Sequence, residues 1–190
     1  MFKMIPNLLT ILRVIAIPFF VFFIIKNQPL YGLVIFILAS ITDYFDGLIA
    51  RKFNIISTFG KLMDPLADKI LVISALVLLN IEPIAYIHWI VTFIICFREI
   101  AVTVLREYYH KKEIIIAANF AGKIKTFLQM FGIITALLIY TMKEFGFWDF
   151  VINNEQMIIF YIQVYFWATT FVTVLSGLNY FFIKPKRIIV

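Results

Sequence analysis

One cysteine in 190 residues excludes a disulfide framework, and Cys96 lies in an apolar run where packing is its natural role. Seven glycines and six prolines against 22 phenylalanines exclude low-complexity and fibrous sequences. The only two histidines, His88 and His110, lie near opposite ends of one apolar stretch and its following loop, which argues against a histidine metal centre. Hydrophilic stretches are also missing, and none is long enough to build a separate soluble domain. What remains is apolar: 63% of residues are hydrophobic, 15% are charged and the mean hydropathy is +0.99. Soluble domains carry roughly 25% charged residues, so the composition is that of an integral membrane protein.

A membrane-spanning helix needs about 20 mostly apolar residues. Six segments qualify, at 8–26, 30–50, 61–80, 85–106, 124–143 and 156–183. Their length predicts helices, because a spanning strand needs only about 10 residues. The expected fold is therefore all-α, a single polytopic domain over residues 1–190 with six transmembrane helices. The N-terminus carries only Lys3 ahead of its apolar run and lacks a small-residue cleavage site, so the first span is expected to be retained. Arg13 and Pro18 interrupt that span, which implies that it lines something besides lipid. With the N-terminus cytoplasmic, fifteen lysines and arginines fall on or toward that side and only Lys26 and Lys143 face the other. Both termini are then cytoplasmic, and the net charge of +6 faces anionic membrane lipids, with no nucleic-acid motif present. The absence of a transit peptide points to a bacterial cell membrane.

Acidic residues are scarce, eleven in all, yet four cluster in DYFDGLIARKFNIISTFGKLMDPLAD, between Asp43 and Asp68. A carboxylate at the bilayer centre costs about 2.5–3.5 kcal/mol on insertion scales, so such a cluster marks function. Asp43 and Asp46 share one helix face by their three-residue spacing, and Asp64 and Asp68 share another by their four-residue spacing. Two antiparallel helices would bring both pairs together at the cytoplasmic end. Oxygen-only ligands in that number suit Mg²⁺ or Mn²⁺. Gly47 and Ala50 leave room for a ligand to approach the backbone, Arg51 offers bidentate contacts to phosphate, and Gly60 with Lys61 offers a flexible approach and a further positive charge. The competing reading of any one aspartate is a helix cap, and Pro65 directly after Asp64 fits a helix start.

Asp43, Asp46, Gly47, Ala50, Arg51, Gly60, Asp64 and Asp68 resemble the signature of the CDP-alcohol phosphotransferase family at every position. The six-span layout is similar too, so the resemblance covers nearly the whole chain. It implies that the four aspartates hold two divalent metals bridging a CDP diphosphate, and that Asp68 is the general base toward the acceptor alcohol. It implies attack of the acceptor hydroxyl on the β-phosphorus of CDP-diacylglycerol, with CMP leaving. A homodimer is also expected from the family.

Asn7, Thr10 and Arg13 fall at three-residue intervals on one stripe, where they can contact the nucleotide or its phosphates. The alternative is that Asn7 and Thr10 cap a helix that Arg13 anchors at the interface. Arg98 and Arg106 in the fourth span, with Lys123 and Lys125 opening the fifth, form a cation cluster suited to an anionic acceptor. Any of the four is otherwise an ordinary cytoplasmic-end charge, and Arg98 has Glu99 beside it as a pairing partner. The stretches around these residues resemble the branch of the family that makes phosphatidylglycerophosphate, which implies sn-glycerol 3-phosphate as acceptor. Inositol phosphate, serine and phosphatidylglycerol are the alternatives within the family. A divalent-cation transporter is the alternative outside it, opposed by an arginine placed among the acids.

Overall fold

The computed structural model describes the backbone of residues 5–53, 58–112, 114–115, 120–146, 153–182 and 186–187, and the side chains of 9–43, 63, 66–109, 112, 122–146 and 153–178. Among these residues are six long helices: α1 (Ile5–Ile25), α2 (Pro29–Phe53), α3 (Thr58–Asn80), α4 (Trp89–Lys111), α5 (Phe120–Phe145) and α6 (Glu155–Phe182). A short antiparallel pair, β1 (Ile114–Ile115) with β2 (Lys186–Arg187), sets Ile114 opposite Arg187 and Ile115 opposite Lys186. The expected all-α architecture and each of the six apolar segments are present.

Helix ends depart from the expectation for local reasons. The second and third helices run further into the link at 51–60 than hydropathy suggests, because Arg51, Lys52 and Phe53 extend α2 and Thr58 opens α3. Pro65 consequently lies inside α3 and not at its start. The fourth helix begins at Trp89 instead of residue 85, since Ala85 adopts a left-handed φ of 46° that no α-helix accommodates. It then continues to Lys111 through a polar segment that hydropathy assigns to a loop.

Packing divides the chain into two units, Met1–Ala85 with Ile133–Asn154, and Tyr86–Gly132 with Glu155–Val190. In the first, α1 turns into α2 through a Schellman arrangement: Asn27 N–H donates to Ile24 O at 3.1 Å and Gln28 N–H to Phe23 O at 2.9 Å. Asn27 takes the left-handed φ of 57° that this cap requires, and Pro29 then starts α2 where its missing N–H costs nothing. The Asn27 side chain is further fixed by the Tyr140 hydroxyl, which donates to Oδ1. Gly32 permits the close return, because a Cβ there would lie 2.5 Å from Ile24 Cδ1. Phe20 and Phe36 meet across the α1–α2 seam with ring centroids 5.5 Å apart, and Leu71, Ala75 and Leu79 of α3 are buried in the same unit.

In the second unit α4 packs on α6, burying Val91, Ile95 and Val102 together with Ile162 and Phe166. The buried residues of α6 also include Thr169, Thr170, Thr173 and Ser176. Thr170 satisfies its hydroxyl on Phe166 O at 2.7 Å, the back-bond open to a buried helical threonine. Tyr165 donates to Leu128 O of α5 at 2.8 Å. Large apolar side chains lie on the outside of both units: Phe19 and Phe22 on α1, Phe97 on α4, Phe127 on α5 and Phe171 on α6 are all more than half exposed. Among the described residues, two helical stretches, 122–145 and 155–178, are long and apolar enough to cross a membrane.

Candidate active site

Both arms of the acidic stretch are helical. Asp43 and Asp46 lie one turn apart on α2, and Asp64 and Asp68 one turn apart on α3, as their spacing requires. Gly47, Ala50 and Arg51 follow on α2, while Gly60 and Lys61 lie on α3. The side chains of Asp46, Ala50, Arg51, Lys61 and Asp64 lie outside the described residues, as does that of Asn7 on α1. Among the described residues no three acidic, histidine or cysteine side chains come together as a metal site. Asp68 is half-buried.

Arg13 is the largest wholly buried side chain described. Its Nη1 is 2.7 Å from Asp43 Oδ1, the first carboxylate of the stretch, whose side chain remains 41% exposed. The contact is close but lies off the N–H axis, so it is an ion pair without hydrogen-bond alignment, and Nε and Nη2 are buried with no hydrogen-bonding partner among the described residues. Thr10, one turn earlier, is also buried. Arg13 is therefore no interfacial anchor: it ties α1 to the acidic arm of α2, a role that stripe spacing does not reveal. Orphaned guanidinium donors beside a carboxylate suit an anionic group with its counter-cation, and the hard oxygen of Asp43 suits a divalent metal.

The cations of the expected acceptor cluster lie in the second unit, in two layers. Arg98 and Lys125 are inner, and both reach Glu99 Oε1, Arg98 through Nη1 at 3.4 Å and Lys125 through Nζ. Arg106 and Lys123 are exposed on the surfaces of α4 and α5. Arg98 is also held from α6: Nε donates to Thr173 O at 3.1 Å and Nη2 to Ser176 Oγ at 2.8 Å. The pairing of Arg98 with Glu99 was legible from adjacency, but Glu99 as a shared counter-charge for Lys125 and the α6 partners of Arg98 were not. Their one sequence signal is the set of small residues Thr173, Ser176 and Gly177 at helical spacing on α6.

Comparison with known proteins adds to this geometry. Residues 3–175 match the family model for CDP-alcohol phosphatidyltransferases. The chain is 37% identical over 179 residues to a protein of Rickettsia bellii named CDP-diacylglycerol–glycerol-3-phosphate 3-phosphatidyltransferase, covering 93% of this chain and 92% of the relative. A Bacillus subtilis protein of the same name is 37% identical over 197 residues, covering 93% and 92%. A third, from Wigglesworthia glossinidia brevipalpis, is 41% identical over 142 residues, covering 70% and 76%. With signature residues on both helical arms and a family match over most of its length, the chain belongs to the CDP-alcohol phosphatidyltransferase family and is an enzyme of that class.

Proposed function

We propose that the protein transfers the phosphatidyl group of CDP-diacylglycerol to sn-glycerol 3-phosphate, giving phosphatidylglycerophosphate and CMP, at the cytoplasmic face of a bacterial membrane. The observation that carries the reading is the intact signature from Asp43 to Asp68 in a chain whose relatives, at 37% identity over nine-tenths of its length, bear that activity in their names. Phenylalanines exposed on each unit, with an arginine buried in one and a lysine buried in the other, support a lipid-embedded protein, the inverse of a soluble surface. Residues 1–190 then act as one transmembrane domain with six spans and both termini cytoplasmic, an orientation supported by the fifteen-to-two distribution of lysine and arginine. The working unit is a homodimer.

In this reading Asp43, Asp46, Asp64 and Asp68 would hold two Mg²⁺ or Mn²⁺ ions, which supply charge neutralisation at the diphosphate. Asn7 and Thr10 bind the nucleotide end, and Arg51 and Lys61 bind diphosphate oxygens. Gly47, Ala50 and Gly60 keep side chains out of the ligand's way. Arg13 fixes Asp43. Arg98, Arg106, Lys123 and Lys125 receive the acceptor phosphate and present its hydroxyl. Asp68 takes the proton of that hydroxyl as its oxygen bonds to the β-phosphorus, and the bond from that phosphorus to the bridging oxygen breaks to release CMP. The test is CMP release by purified protein with CDP-diacylglycerol, Mg²⁺ or Mn²⁺, and one acceptor at a time. Release with glycerol 3-phosphate alone is the expected result, and release only with serine, inositol 1-phosphate or phosphatidylglycerol would move the enzyme to another branch.

A further inference from the structure

Arg98 is oriented by α6, a helix that contributes none of the cations or carboxylates assigned above. Ser176 is buried, and its hydroxyl donates its single proton to Thr173 O at 2.9 Å. Its oxygen lone pairs are therefore turned outward, and Arg98 Nη2 donates to them at 2.8 Å. Thr173 O accepts a second time, from Arg98 Nε at 3.1 Å. The guanidinium is thus held along one edge, its Nε and Nη2 donating to two acceptors of α6. Its stem passes over Gly177, where an added Cβ would come within 3.2 Å of both Arg98 Cγ and Nε. A carboxylate, Glu99, faces Nη1 at the far corner.

We propose that Ser176 is a positioning residue for the anionic acceptor, acting through Arg98: its proton-committed hydroxyl sets the plane of the guanidinium before a phosphomonoester arrives. A long arginine that is fixed in advance loses less freedom on binding than one ordered by the ligand. The inference rests on the reading that Arg98 receives the acceptor phosphate.

The experiment compares wild type, Ser176→Ala, Ser176→Thr, Arg98→Lys and the double variant Arg98→Lys/Ser176→Ala in steady-state kinetics with CDP-diacylglycerol and glycerol 3-phosphate. Loss of a hydrogen bond to a charged group is expected to raise the acceptor KM of Ser176→Ala about tenfold. Its kcat and its KM for CDP-diacylglycerol should stay within about twofold of wild type, as for a lost acceptor contact. Ser176→Thr, which keeps the hydroxyl, should restore the acceptor KM, and Ser176→Ala should add nothing in the Arg98→Lys background. An acceptor KM raised by Arg98→Lys but unmoved by Ser176→Ala overturns the positioning role and leaves the acceptor reading standing. An acceptor KM unmoved by Arg98→Lys overturns both. A Ser176→Ala variant that loses kcat, both KM values and thermal stability together reduces Ser176 to packing and also overturns the proposal.

Discussion

Arg13 and Asp43 form a lopsided ion pair: the guanidinium is sealed from solvent while the carboxylate 2.7 Å away keeps 41% of its side-chain surface exposed. Removing either partner therefore has unequal consequences. Asp43→Asn strands a buried charge and should cost roughly 3 kcal/mol of stability, whereas Arg13→Met leaves a carboxylate that water can still reach and should be close to neutral. Thermal unfolding in detergent compares them directly. Both variants lose activity in this scheme, so stability and turnover separate only in Arg13→Met. Equal destabilisation by the two substitutions would contradict the asymmetry.

Glu99 neutralises two inner cations from one carboxylate oxygen, and Lys125 beside it is buried. Glu99→Gln should destabilise the protein by about 2–4 kcal/mol, because a buried ammonium loses its counter-charge. Adding Lys125→Met should recover much of that loss, and a double-mutant cycle on Tm measures the coupling. Additive effects would show that the two side chains do not share a charge balance.

In the proposed reaction Asp68 carries the proton-transfer role. Asp68→Asn should lower kcat by about a thousandfold, within the range for loss of a general base in a site that also needs its metal ligand. Binding of CDP-diacylglycerol, read by equilibrium competition with a labelled CDP-lipid, should persist in part. Retained turnover would remove Asp68 from the chemistry.

Gly132 tests the packing of the second unit. A Cβ there would stand 2.6 Å from Tyr165 Cε1, and the ring is held in place by its hydroxyl on Leu128 O. Gly132→Ala should cost about 1–3 kcal/mol through overpacking. Tyr165→Leu in the same chain should relieve part of it, as measured by Tm.

Much of this arrangement is legible in the sequence, and the remainder has identifiable causes. Apolar runs located all six helices, because each needs a continuous hydrophobic length that hydropathy registers. Their ends escaped where polar residues continue a helix, as at 107–111, or where a left-handed residue such as Ala85 delays one. The acidic stretch was visible because its residues are local, all within 26 positions on two consecutive helices. Arg13 was visible only as an anomaly: its partner lies on another helix, and charge counting assigns every arginine to a surface. The grip of Ser176 on Arg98 spans 78 positions and involves a residue type too common to stand out.

The most direct measurement is mass spectrometry of the lipid formed when the purified enzyme receives CDP-diacylglycerol, Mg²⁺ and an equimolar mixture of glycerol 3-phosphate, serine, inositol 1-phosphate and phosphatidylglycerol. Phosphatidylglycerophosphate as the dominant product is the expected result. A product carrying serine, inositol phosphate or a second phosphatidyl group in its place would contradict the assignment of the acceptor.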